Sequence, residues 1–302
     1  MSHDALDLLE VCHFDAGATS VDLAVSGGPD SLGLLLLANA HGLTLRVHHV
    51  NHHARASSTE DAAFVAAVCA QLAVACEIHD VQVPAGANFE SRARAARRGA
   101  MPPGVLTGHT MDDLAETVLL NMMRGGALDG LSPMVDDSTK PLRDVRRGAL
   151  HEFVASLGYQ ARHDETNDSP GHLRNRVRHE LVPLMNALAG RDTVPILARQ
   201  AALIFEERSW LEVLSREDAR LDLESVDCRD LREWPRARLR RWLRAQLRSP
   251  DRGDGEHPPS AAEVERALRV VTGEAVATEL SGGRRLARRG QHLTLEQSSP
   301  LR

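Results

Sequence analysis

The chain carries Ser26-Gly27-Gly28-Pro29-Asp30-Ser31 between an apolar run and a leucine-rich stretch. Glycines let a backbone approach a ligand closely, and a helix that starts just after them offers unpaired N–H groups to an anion. Ser26 and Ser31 can donate hydroxyl hydrogen bonds. Asp30 repels phosphate, so its natural partner there is a Mg²⁺ that bridges phosphate oxygens. A Gly-Gly turn capped by Asp30 would give the same residues with no ligand. A second group lies at Gly108-His109-Thr110-Met111-Asp112-Asp113-Leu114-Ala115-Glu116-Thr117. Spacing three places Asp113 and Glu116 on one face at a helix start, where they can hold an ammonium group or simply oppose the helix dipole. Arginines form a third group: Arg94 with Arg97 and Arg98, then Arg174, Arg176 and Arg178. Like charges so close repel, and a bound triphosphate or RNA would relieve that repulsion. His48, His49, His52 and His53 sit at a strand exit with no carboxylate or cysteine in register, which argues against a metal there.

Elements must bring these groups together. Val21–Val25, Leu43–Val50, Ala75–Val83 and Gly104–Thr107 read as strands. Helices read over Ser31–Ala40, Ser58–Ala73, Asn88–Met101 and Asp112–Arg124, the last closing at Gly125-Gly126. Strand and helix alternate, which predicts an α/β fold: a doubly wound parallel sheet with ligands at the carboxyl ends of its strands. From Arg143 the pattern turns helical, with Leu173–Ala189 and Ile196–Leu221 long and amphipathic. A Pro/Gly-rich break at 249–260 separates Arg236–Leu247 from Ala261–Val271, and Ala277–Leu280 and Gln291–Leu295 suggest short strands. The expected division is residues 1–190 as the α/β domain, 191–215 as a connecting helix, and 216–302 as a smaller, mostly helical domain.

At 302 residues, with 42% hydrophobic and 26% charged residues, the chain has the composition of a globular protein with more than one domain. The N-terminus lacks a basic lead and apolar run, and the longest apolar stretch, Leu32–Ala38, is far short of the ~20 residues that cross a bilayer. The four cysteines, Cys12, Cys69, Cys76 and Cys228, form no C-x-x-C pair. A cytoplasmic protein with reduced thiols is expected, with no membrane partner. Net charge is −6, but residues 1–169 carry 12 basic and 22 acidic residues, against 24 and 20 in residues 170–302. The back of the chain is the expected polyanion surface.

The hexapeptide resembles the SGGxDS loop of the ATP-pyrophosphatase (PP-loop) superfamily, not the G-x-x-x-x-G-K-[ST] loop of ordinary P-loops. Further segments resemble the tRNA(Ile)-lysidine synthase family. His49-Val50-Asn51-His52-His53-Ala54-Arg55 is similar to HVDHGLR, with Asn51 for Asp. Asn88-Phe89-Glu90-Ser91-Arg92-Ala93-Arg94 is similar to N-x-E-x-x-A-R, with Arg98 where the family often has tyrosine. The stretch 108–117 resembles GHxxDDxAET, Arg124–Leu131 resembles RGxGxxGL, and Lys140-Pro141-Leu142 stands for Arg-Pro-Leu. Asp164–Asp168 with Leu173–Leu184 resembles DxTN…RNRIRHxLLPxL, the most specific match in the chain.

The resemblance implies ATP and Mg²⁺ on Ser26 to Ser31, with His49 and His109 facing the nucleotide and Asp30 meeting the metal. It implies lysine held by Asp113 and Glu116, and developing charge stabilised by Arg94 and Arg178. The acceptor is an isoleucine tRNA with a CAU anticodon, contacted by Arg97, Arg174 and, on the 236–247 helix, Arg240, Arg241 and Arg244. A homodimer is a further expectation. The alternative is a tRNA 2-thiolation enzyme of the same fold, which normally relies on cysteines this chain lacks.

Overall fold

A computed structural model gives the architecture of the chain, describing residues 3–51, 58–81, 96, 99–162, 172–248 and 259–297. Contacts divide it into two compact units, Met1–Glu206 and Glu207–Arg302.

Unit 1 begins with α1 (His3–Glu10), followed by β1 (Ser20–Ala24), α2 (Pro29–His41), β2 (Thr44–Asn51), α3 (Ser58–Gln71), β3 (Ala75–Asp80) and β4 (Leu106–Thr107). All four strands are parallel, in the order β3-β2-β1-β4. The chain therefore winds outward from β1 to β3 and then returns to β1's other edge. The loops after β1 and β4 leave the same end of the sheet where the strand order reverses, the place where such sheets bind ligands. The strands and the sheet match the expected doubly wound fold.

α2 explains the position of the first loop. Leu32, Leu34, Leu35, Leu36 and Leu37 are all buried, on every side of the helix. Such a helix has no solvent face and must lie inside the protein. It packs in one core with Leu23 and Val25 of the β1 segment, Val47 of β2, Val65 and Val68 of α3, and Leu150 and Phe153. The last two belong to α6 (Arg147–Ser156), which comes after α4 (Met111–Met123) and the one-turn α5 (Leu128–Leu131).

The expected helix over Leu173–Ala189 is present and continuous, with a π turn at Val177–Leu181 between α7 (Leu173–Arg176) and α8 (Val182–Ala189). Pro183 accounts for part of the widening, since it removes a donor from the ladder. α9 (Val194–Leu214) follows, and the division between the two units falls within it.

In unit 2, α10 (Arg216–Ala219), α11 (Cys228–Arg232), α12 (Arg236–Gln246) and α13 (Ala261–Thr272) precede an antiparallel sheet of β5 (Ala277–Leu280), β6 (Arg284–Arg289) and β7 (His292–Gln297). Trp242, Leu243, Leu268 and Leu286 lie in its core. The middle strand, β6, was not expected from its sequence. Arg284 and Leu286 point inward and Arg285 outward, and the buried Arg284 guanidinium donates to the carbonyls of Leu247 and Arg248 at the end of α12. An arginine spent on a helix end reads as surface charge in a sequence.

Candidate active site

The loop after β1 is shaped by backbone demands. Gly27 has φ +91°, a conformation that side chains disfavour. The Ser26 N–H and the Ser31 hydroxyl meet at 3.1 Å, and the Ser26 and Ser31 hydroxyls lie 3.2 Å apart. Gly28 is the N-cap of α2 and supplies no side-chain cap. The first-turn N–H groups of a long buried helix thus lack a side-chain acceptor, and that end of the helix fits an anion. Gly108, just past β4, closes on the same point: a Cβ there would lie 2.5 Å from the Asp30 carbonyl oxygen. Only glycine lets the two loops approach so closely.

Asp30, in the first turn of α2, accepts from His151 Nε2 at 2.7 Å, and its other oxygen lies 3.6 Å from Arg147 Nε. Arg147 links the two loops. It donates to Glu116 at 2.9 Å and to Asp113 at 3.0 Å. Arg178 donates to Glu116 at 2.7 and 3.1 Å, and Arg174 donates to Glu116 at 3.0 Å and to the Asp113 carbonyl at 3.3 Å. Three guanidinium groups therefore converge on two carboxylates, with only 3% of the Glu116 side chain exposed.

Asp113 also receives the Thr110 N–H and hydroxyl, closing a cap at the start of α4. Burial alone would raise its carboxyl. Arg147, the Thr110 N–H and Arg174 outweigh that and hold it below the ordinary carboxylate range. Asp112 binds Arg146 instead, at 3.2 Å, and the Arg147 N–H. His49 is buried and donates from Nδ1 to the Val25 carbonyl at 2.8 Å, fixing β2 to the start of the loop. His109 lies 2.8 Å from the Thr107 hydroxyl, and burial pushes its pKa down, which keeps it neutral. Lys140 bonds the Thr139 hydroxyl and lies 3.7 Å from Asp137.

Of the residues singled out in the sequence, the 26–31 loop, His109, Asp113, Glu116, Arg174 and Arg178 gather at this end of the sheet. Arg94 and Arg97, with the rest of the 88–98 segment except Ala96, and Asp164–Asp168, lie outside the described residues. Arg240, Arg241 and Arg244 are in α12 of unit 2, where Arg240 pairs with Glu265 at 2.5 Å and Arg241 bonds the Ser215 hydroxyl. Sequence reasoning missed Arg147 and His151. Their signal was weak: Arg143, Arg146 and Arg147 crowd into five residues, and nothing in that run says which one faces inward.

The fold and this loop define a PP-loop ATP-binding domain, and the family model for the PP-loop domain matches residues 3–185. The chain is 33% identical to the tRNA(Ile)-lysidine synthase of Nocardia farcinica over 73% of this chain and 71% of that one. It is 36% identical to the enzyme of that name from Deinococcus radiodurans, over 64% of this chain and 35% of that one, and 35% identical to that of Rhodococcus jostii, over 65% and 63%. The chain belongs to the tRNA(Ile)-lysidine synthase family of PP-loop proteins. It spans from about a third to just under two thirds of the length of the latter two relatives. A U34-tRNA thiolase from Methanococcus maripaludis shares the fold with a TM-score of 0.52 at 17% identity, covering 74% of this chain and 80% of that one.

Proposed function

We propose that this protein ligates free lysine to the wobble cytidine of a CAU-anticodon isoleucine tRNA at the expense of ATP. The observation that carries the reading is the continuous chain of contacts from Asp30 through Arg147 to Asp113 and Glu116, which couples a phosphate-binding loop to a carboxylate pair.

In this reading the 26–31 loop and the start of α2 receive the ATP phosphates. Asp30, a single carboxylate beside phosphate oxygens, suits a Mg²⁺ that would neutralise charge there. The C2 oxygen of the cytidine attacks the α-phosphate and pyrophosphate leaves. The ε-amine of lysine then attacks C2 and AMP departs. A base in a single-stranded anticodon loop is cheap to unstack, which makes it reachable. Arg178 stabilises developing charge, and Arg94 is assigned the same role from its sequence context.

Two carboxylates facing three guanidiniums leave no vacant anion for a lysine ammonium. Lysine binding is then an exchange: its ammonium takes over contacts made by Arg174, whose side chain is the most exposed of the three arginines at 33%. Arg174 is released toward the tRNA phosphates. Once the ammonium is held, one carboxylate can accept its proton before attack. The accessory unit, through Arg240, Arg241 and Arg244, is assigned to tRNA, and Arg97 to the same partner. A homodimer is the assembly assigned in this reading. Cytoplasmic location follows from the substrate.

The test is incorporation of labelled lysine into an isoleucine-tRNA transcript with a CAU anticodon. ATP-dependent label there, and none in a methionine tRNA, supports the assignment. Pyrophosphate release with tRNA but no incorporated lysine would keep the loop chemistry and reject the nucleophile.

A further inference from the structure

Away from the site, the β1–β2–β3 sheet carries a second cluster of polar side chains. In the parallel register His48 of β2 lies opposite Glu77 of β3, and Val50 opposite His79. Side chains alternate along a strand, so His48, Glu77 and His79 share one face, together with Asp22 of β1. The pairing supplies the carboxylates that the histidine run lacks in sequence. One ligand atom from each of His48, Glu77 and His79 lies within 4.8 Å of the others.

These side chains form one linked polar network. His48 Nε2 is 2.8 Å from Asp22 Oδ1. A carboxylate there accepts a hydrogen bond from Nε2–H, and that tautomer leaves the lone pair on His48 Nδ1. That nitrogen is 3.0 Å from His79 Nε2 and 3.6 Å from Glu77 Oε2. The ring centroids are 5.2 Å apart, so the two imidazoles meet by their nitrogen edges. Ligands about 2.0–2.2 Å from a zinc ion sit roughly 3.3–3.6 Å apart in a tetrahedron, near the 3.0 and 3.6 Å separations measured from His48 Nδ1. An ion would replace the imidazole–imidazole hydrogen bond and turn both rings toward itself. Glu77 Oε1 and Asp22 each lie within 4.0 Å of Arg46, which steadies the outer carboxylate and leaves Oε2 turned inward. Two carboxylates against one guanidinium leave the cluster negative, as a cation requires.

We infer that His48 Nδ1, His79 Nε2 and Glu77 Oε2 bind one zinc-class divalent cation, with water as fourth ligand. Asp22 is the outer partner that fixes the His48 tautomer. The ion clips β1, β2 and β3 together at the sheet face. It is independent of the ATP-site reading, because it needs neither nucleotide nor tRNA.

The test titrates the tag-free full chain, stripped with chelator, with Zn²⁺ by calorimetry and with Co²⁺ by visible absorption. One equivalent is expected, with the intense absorption of four-coordinate cobalt. Fifteen histidines can bind metal weakly elsewhere, so the variants decide. His79→Gln abolishes the equivalent. Glu77→Gln, at an exposed position that the fold does not need, weakens it at least tenfold, and Asp22→Asn weakens it by about 10- to 100-fold. Binding by wild type that Glu77→Gln and His79→Gln leave unchanged would overturn the site, as would wild type that takes up no stoichiometric metal.

Discussion

Glu116 accepts from Arg147, Arg174 and Arg178 with almost none of its side chain in water. Removing one partner from a buried charge network costs far more than the network contributes, because the remaining charges stay desolvated. Arg147→Ala is therefore expected to destabilise unit 1 by about 3–5 kcal/mol in urea unfolding and to abolish turnover. Arg147→Lys keeps the charge but loses the fork that reaches Asp113 and Glu116 at once, so it should fold while losing most activity. An Arg147→Ala protein with wild-type stability would mean that Arg174 and Arg178 alone satisfy Glu116. The carboxylates were legible in the sequence because a spacing of three at a helix start carries its own geometry. Their arginine partners were legible only on the helix that follows. Arg147 was not, since its role depends on α6 packing against α2, which no local pattern encodes.

At the scale of elements, α13 shows how a capping residue becomes a measurable acid response. Glu263 is buried, which alone would raise its carboxyl. The Ser260 hydroxyl and the N–H groups of Ser281 and Ser260 hold it down to about 2. The folded value lies below an unfolded value of about 4.3. Its contribution is therefore complete above pH about 4.3 and is lost as pH falls toward 2. Glu263→Gln should flatten the stability profile of unit 2 across that window while leaving it parallel to wild type above pH 5. An unchanged acid limb would remove Glu263 from the cause.

The capping box has a local signature that the sequence reading passed over, Ser260 with Glu263 before an apolar-periodic run. Its third partner, Ser281, has no such signature, because it arrives from the sheet. β6 and the π turn share that difficulty. The arginines of β6 hide an inward-outward alternation, and the π turn widens a helix whose period looked α-helical throughout. By contrast the strands of unit 1 were plain, since buried parallel strands are short apolar runs between turn residues.

Charge is uneven between the units: residues 1–206 carry 17 basic and 25 acidic residues, and residues 207–302 carry 19 and 17. If α12 contacts tRNA, log affinity falls linearly with log salt, and each phosphate contact removed lowers the slope by about one. Arg241→Gln with Arg244→Gln should weaken tRNA binding most at low salt and make the salt dependence shallower. Parallel slopes for wild type and variant would take α12 out of the interface.

The strand order has one more consequence, for the path by which the protein folds. β1 pairs on one edge with β2, its neighbour in sequence, and on the other with β4, which lies beyond β2, α3 and β3 in the chain. Pairings across such distances are slow, because loop closure comes before any contact rewards it. In pulse-labelled refolding the Val25 amide, bonded to His48, should gain protection before the Thr107 amide, bonded to Thr139. The reverse order would mean that β4 joins the 139 segment before β1 pairs with β2. A nascent chain thus carries its phosphate loop long before it has a site to attach it to, and ATP can reward only a chain that has already brought β4 home.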